Sequence, residues 1–69
     1  MTFAAITFDI ADNIAVLRLN RPEVMNALNS QMRREIVQAV AQAAKEARVL
    51  VVTGAGRAFC SGQDLQDAG

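Results

Sequence analysis

Val49-Leu50-Val51-Val52-Thr53-Gly54-Ala55-Gly56-Arg57-Ala58-Phe59-Cys60-Ser61-Gly62-Gln63-Asp64-Leu65 is the stretch around which the chain is organised. It opens with a short apolar run, rich in β-branched residues and closed by glycine, which is the pattern of a buried strand. Gly54 and Gly56 then turn the chain, and the small residues Cys60, Ser61 and Gly62 follow. A strand that empties into such a loop leaves backbone N–H groups uncovered and able to meet a ligand. The loop is expected to open a helix at Asp64, whose N-terminal dipole end favours negative charge.

Upstream of this stretch lies an amphipathic helix, expected from Ser30 to about Ala47. Met32, Ile36, Val40, Ala43 and Ala47 recur at spacings of three and four, and Val37 and Ala44 widen the stripe. Arg33, Arg34, Gln38, Gln42, Lys45 and Glu46 occupy the other side. Asn29 is the expected N-cap, because its short side chain accepts a free N–H of the first turn. Pro22 breaks the segment before the helix. Earlier still, Ile14 to Leu19 reads as a strand, apolar enough to be central. It is preceded by a half-buried strand in which Ile6, Phe8 and Ile10 alternate with Thr7 and Asp9. Asp12-Asn13 between them tolerates positive φ and reads as a tight hairpin turn. The order is strand, hairpin, strand, helix, strand, glycine loop, helix start. The fold class is α/β, with no linker dividing the chain.

Composition narrows the function. With 69 residues, one cysteine and no histidine, the chain closes no internal disulfide and lacks the ligands of a common zinc site. Seven basic and seven acidic residues cancel, so charge supplies no argument for nucleic acid or an anionic membrane. No apolar run approaches the ~18 residues of a membrane span, and a basic-then-apolar leader pattern is absent, so the expected location is the cytoplasm. A domain this short buries only about 60% of its unfolded surface. A hydrophobic fraction of 52%, together with an end at Gln66-Asp67-Ala68-Gly69 just after a helix start, leads us to expect residues 1–69 to be the N-terminal part of a larger domain. Alone, the chain is expected to be poorly folded.

The motifs exclude more than they assign. A dinucleotide fingerprint needs glycine at position 59, where Phe59 stands, and a phosphate loop needs lysine after Gly62, where Gln63 stands. Gly54 and Gly56 are read as turn residues. Cys60 has no histidine to act as its base and is read as a small buried thiol. Ser61 lacks the frame of a nucleophile elbow. Asp64 is read as a helix cap in preference to a catalytic carboxylate. Met25 and Met32 are read as core, and Glu23, Glu35, Glu46 and Asp67 as solvated. At Gly62-Gln63 two readings stay open. A tight loop would aim the Gln63 N–H into a pocket, where it could stabilise an oxyanion; an ordinary turn would leave that N–H solvated.

Two segments carry a resemblance. Asn20-Arg21-Pro22-Glu23-Val24-Met25-Asn26-Ala27-Leu28 is similar to the R-P-x-x-x-N-A-L segment of the enoyl-CoA hydratase/isomerase (crotonase) superfamily. Arg57 to Leu65 resembles its K/R-A-F-x-x-G-x-D-L/I segment, and the intervening helix and valine-rich strand are similar too. The resemblance implies a spiral of ββα units, with this chain as the first unit and the start of the second. It implies chemistry on acyl-CoA thioesters, in which two backbone N–H groups hold an enolate-like oxyanion. By position, Gln63 would supply one of those N–H groups. Ser61, Asp64 and Leu65 would line the CoA adenine and pantetheine side, and Glu23, Val24 and Ala27 would flank the CoA moiety. Arg57 would lie near phosphate or on the surface. No cofactor is implied beyond the CoA that the substrate carries. The implied partners are the remainder of the subunit and further copies in a trimer or hexamer. The second donor and the proton-moving acids would lie beyond Gly69. The wording Cys-Ser-Gly-Gln-Asp-Leu is similar to members that act in phenylacetate-type breakdown; fatty-acid breakdown is the other expected pathway. The alternatives are an NAD(P)-binding oxidoreductase fragment and a non-catalytic α/β assembly module.

Overall fold

The computed structural model describes residues 3–63. The helix start expected at Asp64, and Asp64, Leu65 and Asp67 themselves, lie outside the described residues. In chain order the elements are β1 (Ile6–Ala11), β2 (Ile14–Leu19), a short 3₁₀ turn (Pro22–Val24), α1 (Ser30–Glu46) and β3 (Val49–Gly54). They form a three-stranded sheet with β2 in the centre, antiparallel to β1 and parallel to β3. The pairing of Ala11 with Ile14 leaves Asp12 and Asn13 as the whole hairpin loop. Their φ angles of 53° and 67° are the pair that a twisted two-residue hairpin requires. The Asn13 carbonyl then accepts the Arg48 and Val49 N–H groups at 2.7 and 3.3 Å, docking the start of β3 onto the turn.

Alternation along β2 buries Ala15, Leu17 and Leu19 on one face and leaves Arg18 exposed on the other. That buried face meets Met32 and Ala39 of α1, with Ala5 and Ile6 completing the cluster. Leu17 and Met32 are almost wholly removed from water, worth roughly 1.5–3 kcal/mol each. Phe3 and Phe8 pack edge to face beside it, with ring centroids 6.3 Å apart. Asn29 caps α1 as expected, its Oδ1 accepting the Met32 N–H at 2.8 Å.

The buried stripe of α1 differs from the one read from apolar periodicity. Met32, Glu35, Ala39 and Ala43 are buried, whereas Val37 is 68% and Val40 42% exposed. The helix is turned so that Glu35 faces the sheet, and Glu35 is therefore not a solvated residue. The cause lies in the chain that enters β1. It bends at Ala4 and Ala5 and presents backbone N–H groups that have no ladder partner. Glu35 Oε1 accepts Ala5 N–H at 2.8 Å, Ala4 N–H at 3.1 Å and Ile6 N–H at 3.2 Å. Oε2 accepts Ala4 N–H at 3.1 Å and Gln31 Nε2–H at 3.0 Å. Burial pushes this carboxyl's pKa up, but the bonds from Ala5, Ala4, Gln31 and Ile6 outweigh it and hold the group below its ordinary range.

β3 is not the buried strand its composition suggests. Val49, Val51 and Val52 are 53%, 43% and 47% exposed, and only Leu50 packs against the core. It lies at the sheet edge, and α1 crosses mainly over β1 and β2. Met25, read as core, is 46% exposed in the loop after the 3₁₀ turn. Among the described residues no helix is long and apolar enough to cross a membrane.

Candidate active site

Proline fixes the loop between β2 and α1. Pro22 opens the 3₁₀ turn, and Met25 and Asn26 follow at φ 52° and 58°, two consecutive residues in the left-handed region. Asparagine tolerates that region; methionine is strained there. Asn26 is wholly buried. Its N–H donates to the Arg21 carbonyl and its Oδ1 accepts the Arg21 N–H, both at 2.8 Å. Arg21 Nη1 in turn donates to the Ala27 carbonyl at 2.6 Å. The loop is thus closed on itself. Glu23 and Val24 stand exposed on its outside, and Ala27 is buried beneath it.

The loop after β3 lies directly against this one. Asn26 Nδ2 donates to the carbonyls of Ala55 and Ala58, at 2.9 and 2.8 Å. Ser61 N–H donates to the Met25 carbonyl at 3.0 Å, and Leu28 N–H to the Gly62 carbonyl at 2.7 Å. The last contact belongs to a single parallel bridge between Leu28 and Gln63. The Ser61 hydroxyl makes a long 3.4 Å bond to the Val24 carbonyl. Cys60 is half-buried against the core, and its sulfur accepts the Gly62 N–H at 3.3 Å. The structure therefore brings Val24, Ala27, Ser61 and Gln63 into one neighbourhood, with Glu23 on its rim. Arg57 is exposed.

The orientation of the Gln63 amide follows from peptide geometry. The Gly62 carbonyl and the Gln63 N–H belong to one peptide unit, and no peptide here is cis. In a trans unit those two bonds point in opposite directions. Because the carbonyl points at Leu28, the Gln63 N–H points away from the first loop. No acceptor among the described residues takes that N–H, and Gln63 is exposed.

Gly54 explains why a glycine ends β3 without any cofactor. A Cβ there would collide with the carbonyls of Phe59 and Ala58, the latter at 2.8 Å. The space above it is filled by the chain's own returning backbone, whereas a dinucleotide loop needs that space for a pyrophosphate. Gly62 differs. Its φ of 103° suits glycine alone, yet open space surrounds its Cβ position. A cleft of about 220 Å³ runs between Val40, Ala43 and Ala44 of α1 and Val49 and Leu50 of β3. It lies at the far end of a 17-residue helix, some ~25 Å long, and takes no part in this site. Among the described residues no cluster of three or more metal-ligating side chains occurs.

Reading the sequence missed the role of Asn26. It stands between a proline turn and a helix cap, and a second asparagine so close to the capping Asn29 was the available signal.

Comparison with known proteins agrees with this arrangement. The family model described as enoyl-CoA hydratase/isomerase matches residues 9–69. A probable enoyl-CoA hydratase of Rhodobacter capsulatus is 55% identical over 67 residues, covering 97% of this chain and 26% of that protein. The 1,2-epoxyphenylacetyl-CoA isomerase of Escherichia coli K12 is 40% identical over 60 residues, covering 84% and 23%. The crystal structure of an enoyl-CoA hydratase/isomerase from Mycobacterium paratuberculosis superposes with a TM-score of 0.89 at 40% identity, over 94% of this chain and 26% of that one. The chain spans about a quarter of the length of the curated relatives it matches. Its strand–strand–helix–strand order, its two stitched loops and these matches together establish that the chain belongs to the enoyl-CoA hydratase/isomerase family.

Proposed function

We propose that these residues form the N-terminal part of an enzyme that transforms acyl-CoA thioesters by hydration or double-bond isomerisation. In this reading the Gln63 N–H is one of two backbone donors that hold the enolate oxygen. The observation that carries it is the direction of that N–H: it is unclaimed among the described residues and turned away from the loop that fixes its peptide plane. A donor fixed in this way costs no reorganisation when charge develops on the thioester oxygen. Glu23, Val24 and Ala27 on one loop and Ser61 on the other flank the CoA, and the family resemblance gives Asp64 and Leu65, outside the described residues, the same role. The second donor and the acid–base carboxylates belong to the remainder of the subunit. That remainder also covers the exposed valines of β3 and α1, and the subunits assemble as a trimer or hexamer in the cytoplasm. The only cofactor is the CoA that arrives with the substrate. The named activity of the Escherichia coli relative supports an aromatic acyl group; fatty acyl groups are the second candidate.

The test uses the full-length protein. With 2-enoyl-CoA substrates of aliphatic and aromatic type, loss of the enoyl-thioester absorbance should be saturable, and the corresponding free acids should not react. Failure to bind any CoA thioester, or tight binding of a nicotinamide dinucleotide, would contradict the proposal.

A further inference from the structure

Asn26 and Glu35 are the buried polar side chains among the described residues. Glu35 serves the entry to β1. Asn26 lies between the two loops of the candidate site. We propose that Asn26 is a positioning residue for the thioester site: its carboxamide sets the distance between the loop at 20–28 and the loop at 54–63, and thereby the place of the Gln63 N–H. This inference rests on the reading of Gln63 given above.

Among the described residues five bonds join the loops. Met25 C=O takes the Ser61 N–H and Leu28 N–H meets the Gly62 C=O, backbone to backbone. The Ser61 hydroxyl makes its long bond to the Val24 carbonyl. The other two come from Asn26 Nδ2, to the Ala55 and Ala58 carbonyls, and are made by a side chain of fixed length, anchored at both ends. Its oxygen is held by the Arg21 N–H, and both of its N–H bonds are used, on Ala55 and Ala58. One acceptor and two donors on a two-carbon reach is the chemistry of asparagine. Aspartate lacks the donors and glutamine is one methylene longer. Met25, a bulky residue in the left-handed region, is a further sign that the loop is held to one shape, since such a conformation persists where the surroundings over-determine it. The Gln63 peptide plane hangs from the bond between the Leu28 N–H and the Gly62 carbonyl. A shift of the second loop therefore moves the donor N–H, and a 1 Å misplacement of reacting groups costs about 100-fold in rate.

Asn26→Asp and Asn26→Ala in the full-length protein test this, with kcat, KM and the pH profile measured beside thermal stability. Asn26→Asp should lower kcat about 100-fold near pH 8, with KM changed less than kcat. Its carboxylate faces two carbonyls; once protonated it donates one O–H to Ala55 or Ala58. Its kcat should therefore rise as the pH falls, a limb absent from wild type and from Asn26→Ala. A folded Asn26→Asp with wild-type kcat and pH profile would overturn the inference. Should both variants fail to fold, hydrogen exchange in the wild-type protein decides. The Asn26 side-chain amide protons should exchange slowly, and exchange at the rate of a surface asparagine would overturn the inference. Wild type inactive on every acyl-CoA removes the proposed function and this inference together. Wild-type activity that is lost in Gln63→Pro but kept in Asn26→Asp removes this inference alone.

Discussion

Replacing Gln63 by proline should lower kcat by roughly 10²–10³-fold in the full-length protein, the usual cost of deleting one oxyanion donor. Proline removes the N–H, and no acceptor among the described residues takes that N–H. The bond between Leu28 N–H and the Gly62 carbonyl remains available, so the loss falls on chemistry rather than on loop anchoring. KM should move much less, because the donor is strongest against the charge that develops in the transition state. Gln63→Ala keeps the N–H and should fall by less than about tenfold. Comparable losses in the two variants would assign the effect to the side chain. Replacing the Gly62–Gln63 amide by an ester deletes the same hydrogen without a ring, and should reproduce the proline result.

The largest expected effect on stability is at Glu35. Glu35→Ala strands the N–H groups of Ala5 and Ile6, which are 6% and 2% exposed, and returns that of the exposed Ala4 to water. An unsatisfied buried donor costs about 1–3 kcal/mol, so the substitution should cost about 3–5 kcal/mol after relaxation, read from the denaturant midpoint. Glu35→Gln keeps one oxygen acceptor but sets an NH₂ against donors; it should cost roughly half as much. The dependence on pH has a definite sign. The folded carboxyl is held below its ordinary 4.5, so its contribution is fully present above that pH. It is lost as the pH falls through the folded value. The gap between wild type and Glu35→Gln should therefore be constant from neutrality down to about pH 5 and shrink below it. A gap that widens on acidification would show that Glu35 is not held as its charged form.

These two residues also mark what the sequence could and could not reveal. The hairpin at Asp12-Asn13, the Asn29 cap and the central place of β2 rest on local chemistry, and each stands as read. The closeness of the two family segments was legible only through the resemblance, because their side-chain bonds link residues 29 to 37 positions apart, beyond the reach of local patterns. Glu35 was misread because its burial is decided by N–H groups of Ala4, Ala5 and Ile6, about which helical periodicity carries no information. Val37, Val40 and the β3 valines were misread for a related reason. An apolar stripe shows that a residue can be buried, but burial requires a covering neighbour, and the described residues leave these valines 42–68% exposed. Asn26 was overlooked since a buried carboxamide and a solvated loop asparagine look alike until the carbonyls of Ala55 and Ala58 are in place.

The most direct measurement is the crystal structure of the full-length protein with a CoA thioester, or a stable analogue of its enolate, bound. The Gln63 nitrogen should lie about 2.7–3.1 Å from the thioester oxygen, with the Gly62 carbonyl still on the Leu28 N–H. A Gln63 N–H bonded to another carbonyl of the protein, or facing solvent away from the bound thioester, would contradict the account.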